Sequence, residues 1–98
     1  MTYWIHPDAE AELENAAIYY AEHVGHVLAE AFLDEYQRVV ELLVENQQRG
    51  PHGDFGLRLY HLNVFPYTVI YEEDAAGGPQ IYAVAPQARD PGYWKSRL

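Results

Sequence analysis

The chain has 98 residues, of which 49% are hydrophobic and 21% charged, and its formal net charge is −9. This length predicts one folded domain over residues 1–98, and the composition is too apolar and too aromatic for a disordered protein. The absence of cysteine excludes disulfide bonds and thiolate metal sites, and the acidity argues against direct nucleic-acid binding, which depends on Lys and Arg.

The first residues, MTYWIHPDAEAELE, contain neither a basic region nor an apolar run of the kind found in secretory signals. No later run approaches the ~18 apolar residues that a membrane span requires. We therefore expect a cytoplasmic protein without a membrane segment. Residues 2–6, TYWIH, are aromatic and β-branched, which predicts a short strand, and Pro7 with Asp8 then indicates the start of a helix.

Two amphipathic helices are predicted in the first half of the chain. The first runs from Pro7 to about His23, and the second from about Val27 to Asn46. Because the connection HVGH is short, the two helices should form an antiparallel hairpin. The apolar stripes comprise Leu13, Ala16, Ala17, Tyr20 and Val24 in the first helix, and Phe32, Tyr36, Val39, Val40 and Leu43 in the second.

The second half changes to the two-residue period of β-strands. The segments LRLYHLNV, YTVIYEE and IYAVA predict three strands separated by a proline-containing turn and a glycine-rich turn. The fold class is therefore α+β with the order β-α-α-β-β-β, in which the helical hairpin covers one face of a small antiparallel sheet and leaves the other face open. Alternation places Arg58, Tyr60 and Leu62 on one face, and Leu59, His61 and Asn63 on the other.

The last twelve residues, QARDPGYWKSRL, contain three of the six basic side chains of the chain: Arg89, Lys95 and Arg97. The DPG turn precedes two large rings, so Tyr93 and Trp94 are predicted to fold back on the sheet and anchor the tail. Anchored in this way, the three cations should lie beside the open face. The tail is then expected to form a positive patch on an acidic molecule.

The acidic run Glu10, Glu12 and Glu14 is interpreted as a solvated helix face, because residues two apart do not face each other on a helix. A metal site is not predicted. His23 and His26 flank the helix break beside Glu22, but their spacing matches no closed metal signature. These histidines, together with the remaining His52 and His61, are interpreted as ordinary side chains.

The chain resembles the RelE/ParE superfamily of toxins from bacterial type II toxin-antitoxin systems, and particularly its ParE-like plasmid stabilisation branch. Nearly the whole chain takes part in the resemblance, and FPYTVIY and RDPGYW at their present separation are its most specific motifs. The resemblance implies the α+β fold described above and an antitoxin partner that wraps the toxin. It also implies either DNA gyrase inhibition or ribosome-dependent cleavage of messenger RNA.

Six residues match functional positions of that superfamily, and Lys95 joins them because it lies in the basic tail. The seven expected partner-binding residues are Arg58, Tyr67, Arg89, Tyr93, Trp94, Lys95 and Arg97. Three other positions depart from the pattern: Asn63 and Val64 stand where the superfamily often has arginines, and Pro86 where it often has a histidine. These departures remove candidate phosphate-binding and acid-base groups.

Three functions remain open at this point. The first is a toxin that binds a protein target such as gyrase and is neutralised by a cognate antitoxin. The second is a messenger-RNA endonuclease, for which the available catalytic candidates are Arg58, His61, Arg89 and Tyr93. The third is a toxin fold that has lost its toxicity. None of the three calls for a cofactor.

Overall fold

The computed structural model describes residues 2–98 and has the predicted order of elements. The strands and helices are β1 (Trp4–Ile5), α1 (Pro7–His23), α2 (His26–Glu45), β2 (Arg58–His61), β3 (Tyr67–Glu72) and β4 (Gln80–Pro86). Two short 3-10 helices cover Asp54–Gly56 and Tyr93–Arg97. Across residues 2–98, neither α-helix combines the length and apolar character needed to cross a bilayer.

The local sequence explains where the helical hairpin begins and turns. Pro7 occupies the first helical position, and the His6 ring nitrogen Nδ1 accepts a hydrogen bond from the Asp8 amide at 3.0 Å. Gly25 separates the helices with φ 146°, a backbone angle that favours glycine. The prediction for α1 is confirmed at both ends, and α2 is displaced by one residue at each end.

The sheet has the strand order β1-β4-β3-β2. Strands β2, β3 and β4 pair antiparallel as predicted, whereas β1 pairs parallel to β4, so the sheet as a whole is mixed. Tight turns force the last three strands to reverse direction, but β1 is separated from them by the helical hairpin and is free to pair in parallel. A register shift between Ile70 and Tyr71 leaves Tyr82 between the two registers of β4.

Apolar side chains pack on both faces of the sheet. The main core lies between the helical hairpin and one face, where α2 contributes fully buried residues such as Phe32 and Leu43. The α+β fold with the hairpin packed on one face is thus confirmed. A smaller cluster lies on the opposite face and includes Ile70, Ala83 and Trp94 from the tail. The face that the helices leave open is therefore partly covered by the last residues of the chain.

Candidate functional site

A cavity of about 620 Å³, here called the open-face cavity, lies on the sheet face opposite the helices. Leu57, Ile70, Ala85 and Trp94 give it an apolar floor. His61 also lines the cavity together with Leu59, with which it shares a face of the strand by alternation. An apolar concavity with a few convergent polar groups has the character of a binding site.

The tail forms one wall of this cavity. The Trp94 side chain is only 7% exposed and packs against the apolar floor, so the expectation that it folds back on the sheet is confirmed. The Phe55 ring meets Trp94 edge-on at 6.4 Å, and the Lys95 ammonium lies 5.0 Å from the centre of the Phe55 ring. Phe55 has φ 61°, an unusual angle for a bulky residue, and its side chain stays largely exposed, at 60%.

Four hydrogen bonds from other parts of the fold converge on the carboxylate of Glu12. Its Oε1 accepts from the Val84 amide at 3.1 Å and from Arg97 Nη1 at 2.8 Å. Its Oε2 accepts from Arg97 Nη2 at 3.1 Å and from the Tyr93 hydroxyl. Arg89 Nη1 lies further away, at 3.8 Å from Oε2. One α1 side chain therefore ties Tyr93 and Arg97 of the tail to the edge of β4.

The pair formed by Glu12 and Arg97 also completes the edge of β4. Strand β1 ends at Ile5, which pairs with Ile81, so β4 has no strand neighbour on that side further along. There the Val84 amide donates to Glu12, and the Tyr82 carbonyl accepts from Arg97 Nη1 at 3.0 Å. The ion pair thus supplies one acceptor and one donor where a longer β1 would have supplied backbone groups.

Two sequence interpretations are corrected by this arrangement. Glu12 is not part of a solvated face, because its side chain is only 14% exposed and accepts hydrogen bonds from Tyr93 and Arg97 of the tail. Arg97 does not add to a free positive patch, because its side chain is 11% exposed and its charge is paired with Glu12. The hydrogen bond to Glu12 raises the pKa of Arg97. Of the three tail cations, only Arg89 and Lys95 line the open-face cavity.

Glu12 was missed because an isolated carboxylate in an acidic run carries no sign of burial. A helical wheel gives one indication that Glu12 is buried, because Glu12 shares a face with Ala9 and Ala16, and both of these are buried. Small residues above and below a carboxylate leave room for a side chain from elsewhere. Phe55 was missed because nothing in the sequence DFG indicates its position beside Trp94.

Arg58 lies away from the open-face cavity and holds the loop that follows α2. Its guanidinium donates to Glu73, to the Gly50 carbonyl at 2.6 Å and to the Gln48 carbonyl at 3.3 Å. The side chain is 11% exposed. The structure therefore does not bring Arg58 together with the basic residues of the tail.

The other three catalytic candidates, His61, Arg89 and Tyr93, line the same cavity. The Tyr93 hydroxyl donates to Glu12, and burial together with this hydrogen bond raises the pKa of Tyr93 above its ordinary value. His61 Nδ1 lies 2.6 Å from the Thr68 hydroxyl oxygen, so Nε2 is the ring nitrogen that does not contact Thr68. Within residues 2–98, no group of three or more His, Cys, Asp or Glu is placed to hold a metal ion.

Tyr67 lies on the helix side of the sheet, with its ring 5.2 Å from that of Phe32. Burial raises the pKa of Tyr67. It lines a second cavity of about 290 Å³, here called the helix-side cavity, which also includes Tyr19 from α1. Pro86 and Arg89 line both cavities and therefore form the ridge between them.

Comparison with known proteins identifies a family and several solved structures of similar fold. The family model described as "ParE toxin of type II toxin-antitoxin system, parDE" matches residues 3–91. A chain of the chromosomal ParDE TA system from P. aeruginosa is 22% identical, with a TM-score of 0.73 over 88% of this chain and 95% of that one. This likeness shows the fold. No curated protein is significantly similar in sequence.

Proposed function

The chain belongs to the ParE toxin family of type II toxin-antitoxin systems, and from this premise we propose that it acts in the cytoplasm by binding a protein target and is neutralised by a cognate antitoxin. DNA gyrase is the target that we propose first. The proposal concerns binding without bond cleavage. The target would contact the open-face cavity and the tail.

The proposal rests mainly on one observation: some basic side chains are paired within the fold, and others line the open-face cavity. Arg97 is paired with Glu12, and Arg58 is paired with Glu73 and with loop carbonyls. The open-face cavity retains Arg89 and Lys95 above an apolar floor. An apolar centre with a few charges at its rim is the usual composition of a protein-binding surface.

The same geometry argues against an RNA-cleaving site. Cleavage needs a group that activates the 2'-hydroxyl, donors that stabilise the phosphorane and an acid for the leaving group. The Tyr93 hydroxyl donates to Glu12, and its raised pKa keeps it protonated, so it does not supply a phenolate base. Arg58 is absent from the cavity lining, and Pro86 carries no titratable group where it lines the cavity. Net charge −9 also opposes the approach of a polyanion.

The test is to induce this chain alone in a bacterial host and count survivors, with and without co-expression of the small protein encoded beside its gene. The proposal predicts loss of survivors that the neighbouring protein reverses. Supercoiling by purified gyrase, measured with and without the purified chain, then tests the target. Normal survival with abundant folded chain would contradict the proposal and favour a toxin fold without toxicity.

A further inference from the structure

We infer that the groove made by the open-face cavity, the Arg89 ridge and the helix-side cavity receives one extended segment of the antitoxin, in which a single acidic residue is flanked by apolar residues. The acidic residue pairs with Arg89, and the apolar residues enter the cavities on either side. This inference rests on the proposed function, because it names the surface and the chemistry by which the antitoxin is recognised.

Arg89 is the exposed cation that lines both cavities, whereas Lys95 lines only the open-face cavity. Its side chain is 53% exposed, and the guanidinium carbon lies 3.7 Å from the centre of the Tyr93 ring. Stacking on that ring holds the guanidinium in place before a partner arrives, which lowers the entropic cost of binding. Within residues 2–98, the only carboxylate closer than 4.0 Å to the Arg89 guanidinium is that of Glu12, at 3.8 Å. Glu12 already accepts closer hydrogen bonds from Arg97 and Tyr93.

The two cavities place apolar surface on both sides of Arg89. The open-face cavity offers Ile70, Ala85 and Trp94, and the helix-side cavity offers Tyr19, Tyr67, Ala16 and Val84. Both cavities include Arg89 in their lining, so one chain crossing the ridge can use all three parts. An extended peptide suits this path because its side chains alternate in direction and can reach pockets on either side of a central contact.

The charge of the surroundings limits the segment to one acid at the ridge. The whole chain carries −9, and Asp54 and Asp90 also line the open-face cavity. The first acidic residue is compensated by Arg89, whereas a second one in this cavity would meet both aspartates and have Lys95, which lies by the Phe55 ring, as its opposite charge among the lining residues. A bidentate Arg-carboxylate pair adds geometric selectivity to the charge, so a neutral amide at the same place would be a poor substitute.

The experiment selects random 12-residue peptides displayed on phage against the full chain and measures the selected peptides with purified protein. Trp4→Phe leaves Trp94 as the single tryptophan, so its fluorescence reports binding beside the open-face cavity. The affinity of each peptide is then compared for Arg89→Gln and for Arg49→Gln. Arg49 is an exposed arginine that lines neither cavity and serves as the control.

We expect the selected peptides to share one Asp or Glu between apolar residues. Arg89→Gln should weaken them at least tenfold, Arg49→Gln less than twofold, and replacing the peptide acid by its amide should remove the difference between wild type and Arg89→Gln. Equal affinity for wild type and Arg89→Gln, peptides without a shared acid, or no selected peptide would overturn the inference. The survivor assay above involves no peptide, so failure of the proposed function and failure of this inference are told apart.

Discussion

Arg97 donates to both carboxylate oxygens of Glu12, 85 positions earlier in the chain, at 2.8 and 3.1 Å. This bidentate pair joins the end of the tail to α1 beside the free edge of β4. Both side chains are nearly buried, at 11% and 14% exposed. The tail wall of the open-face cavity is therefore held by this carboxylate of the first helix as well as by the buried Trp94 ring.

Glu12→Ala should destabilise the fold by about 3 kcal/mol, because removing one partner of a nearly buried ion pair leaves the other charge uncompensated. The measurement is the free energy of unfolding in urea. Glu14→Ala is the matched control, since Glu14 is an exposed carboxylate two positions along the same helix. Equal losses in the two variants would show that the contacts of Glu12 contribute nothing to stability.

Trp94→Ala should lower stability by roughly 3 kcal/mol, because a nearly buried ring is lost from the apolar cluster on the open face. Trp4→Ala provides the control, because Trp4 is 40% exposed at the edge of the sheet and should cost less. Thermal unfolding followed by circular dichroism compares the two. A melting temperature unchanged by Trp94→Ala would contradict the role of this ring as the anchor of the tail.

Local patterns predicted the helices and most strands because each of these elements is defined by its own residues. Pro7 and Gly25 set helix boundaries directly, and alternation separated His61 from Tyr60, although only the structure shows that His61 lies on the open face. The parallel pairing of β1 was not predictable in the same way, because it depends on how the helical hairpin returns to the sheet. The hydrogen bonds of Glu12 join the first helix to the tail, two segments that are far apart in the sequence. The periodicity of the helix carries no information about which tail residues will contact it.

Glu35 should give the fold a dependence on acid pH. It accepts hydrogen bonds from Arg38 Nε at 2.7 Å and from the Asn63 amide at 2.7 Å, and the bond from Arg38 is the main cause that lowers the pKa of Glu35 below its ordinary value of 4.5. A lowered pKa in the folded state stabilises the fold above the unfolded pKa. This contribution is lost as the pH falls through the folded pKa.

Glu35→Gln should therefore be less stable than wild type at pH 7, and the difference should shrink at a pH of about 3, as expected for a carboxylate that titrates at low pH. Urea unfolding at both pH values is the measurement. Glu30→Gln, which changes an exposed glutamate of the same helix, should show no such convergence. An equal loss of stability in Glu35→Gln at the two pH values would mean that ionisation of the carboxylate does not contribute to the stability of the fold.

We propose above that this toxin acts by binding protein and does not cut RNA. The most direct test incubates the purified chain with messenger RNA, with and without programmed ribosomes, and maps the RNA ends. We expect intact RNA, because Arg97 and Arg58 are paired within the fold and the Tyr93 hydroxyl donates to Glu12. Codon-dependent cuts that disappear in Arg89→Ala would contradict it and establish the chain as an endonuclease.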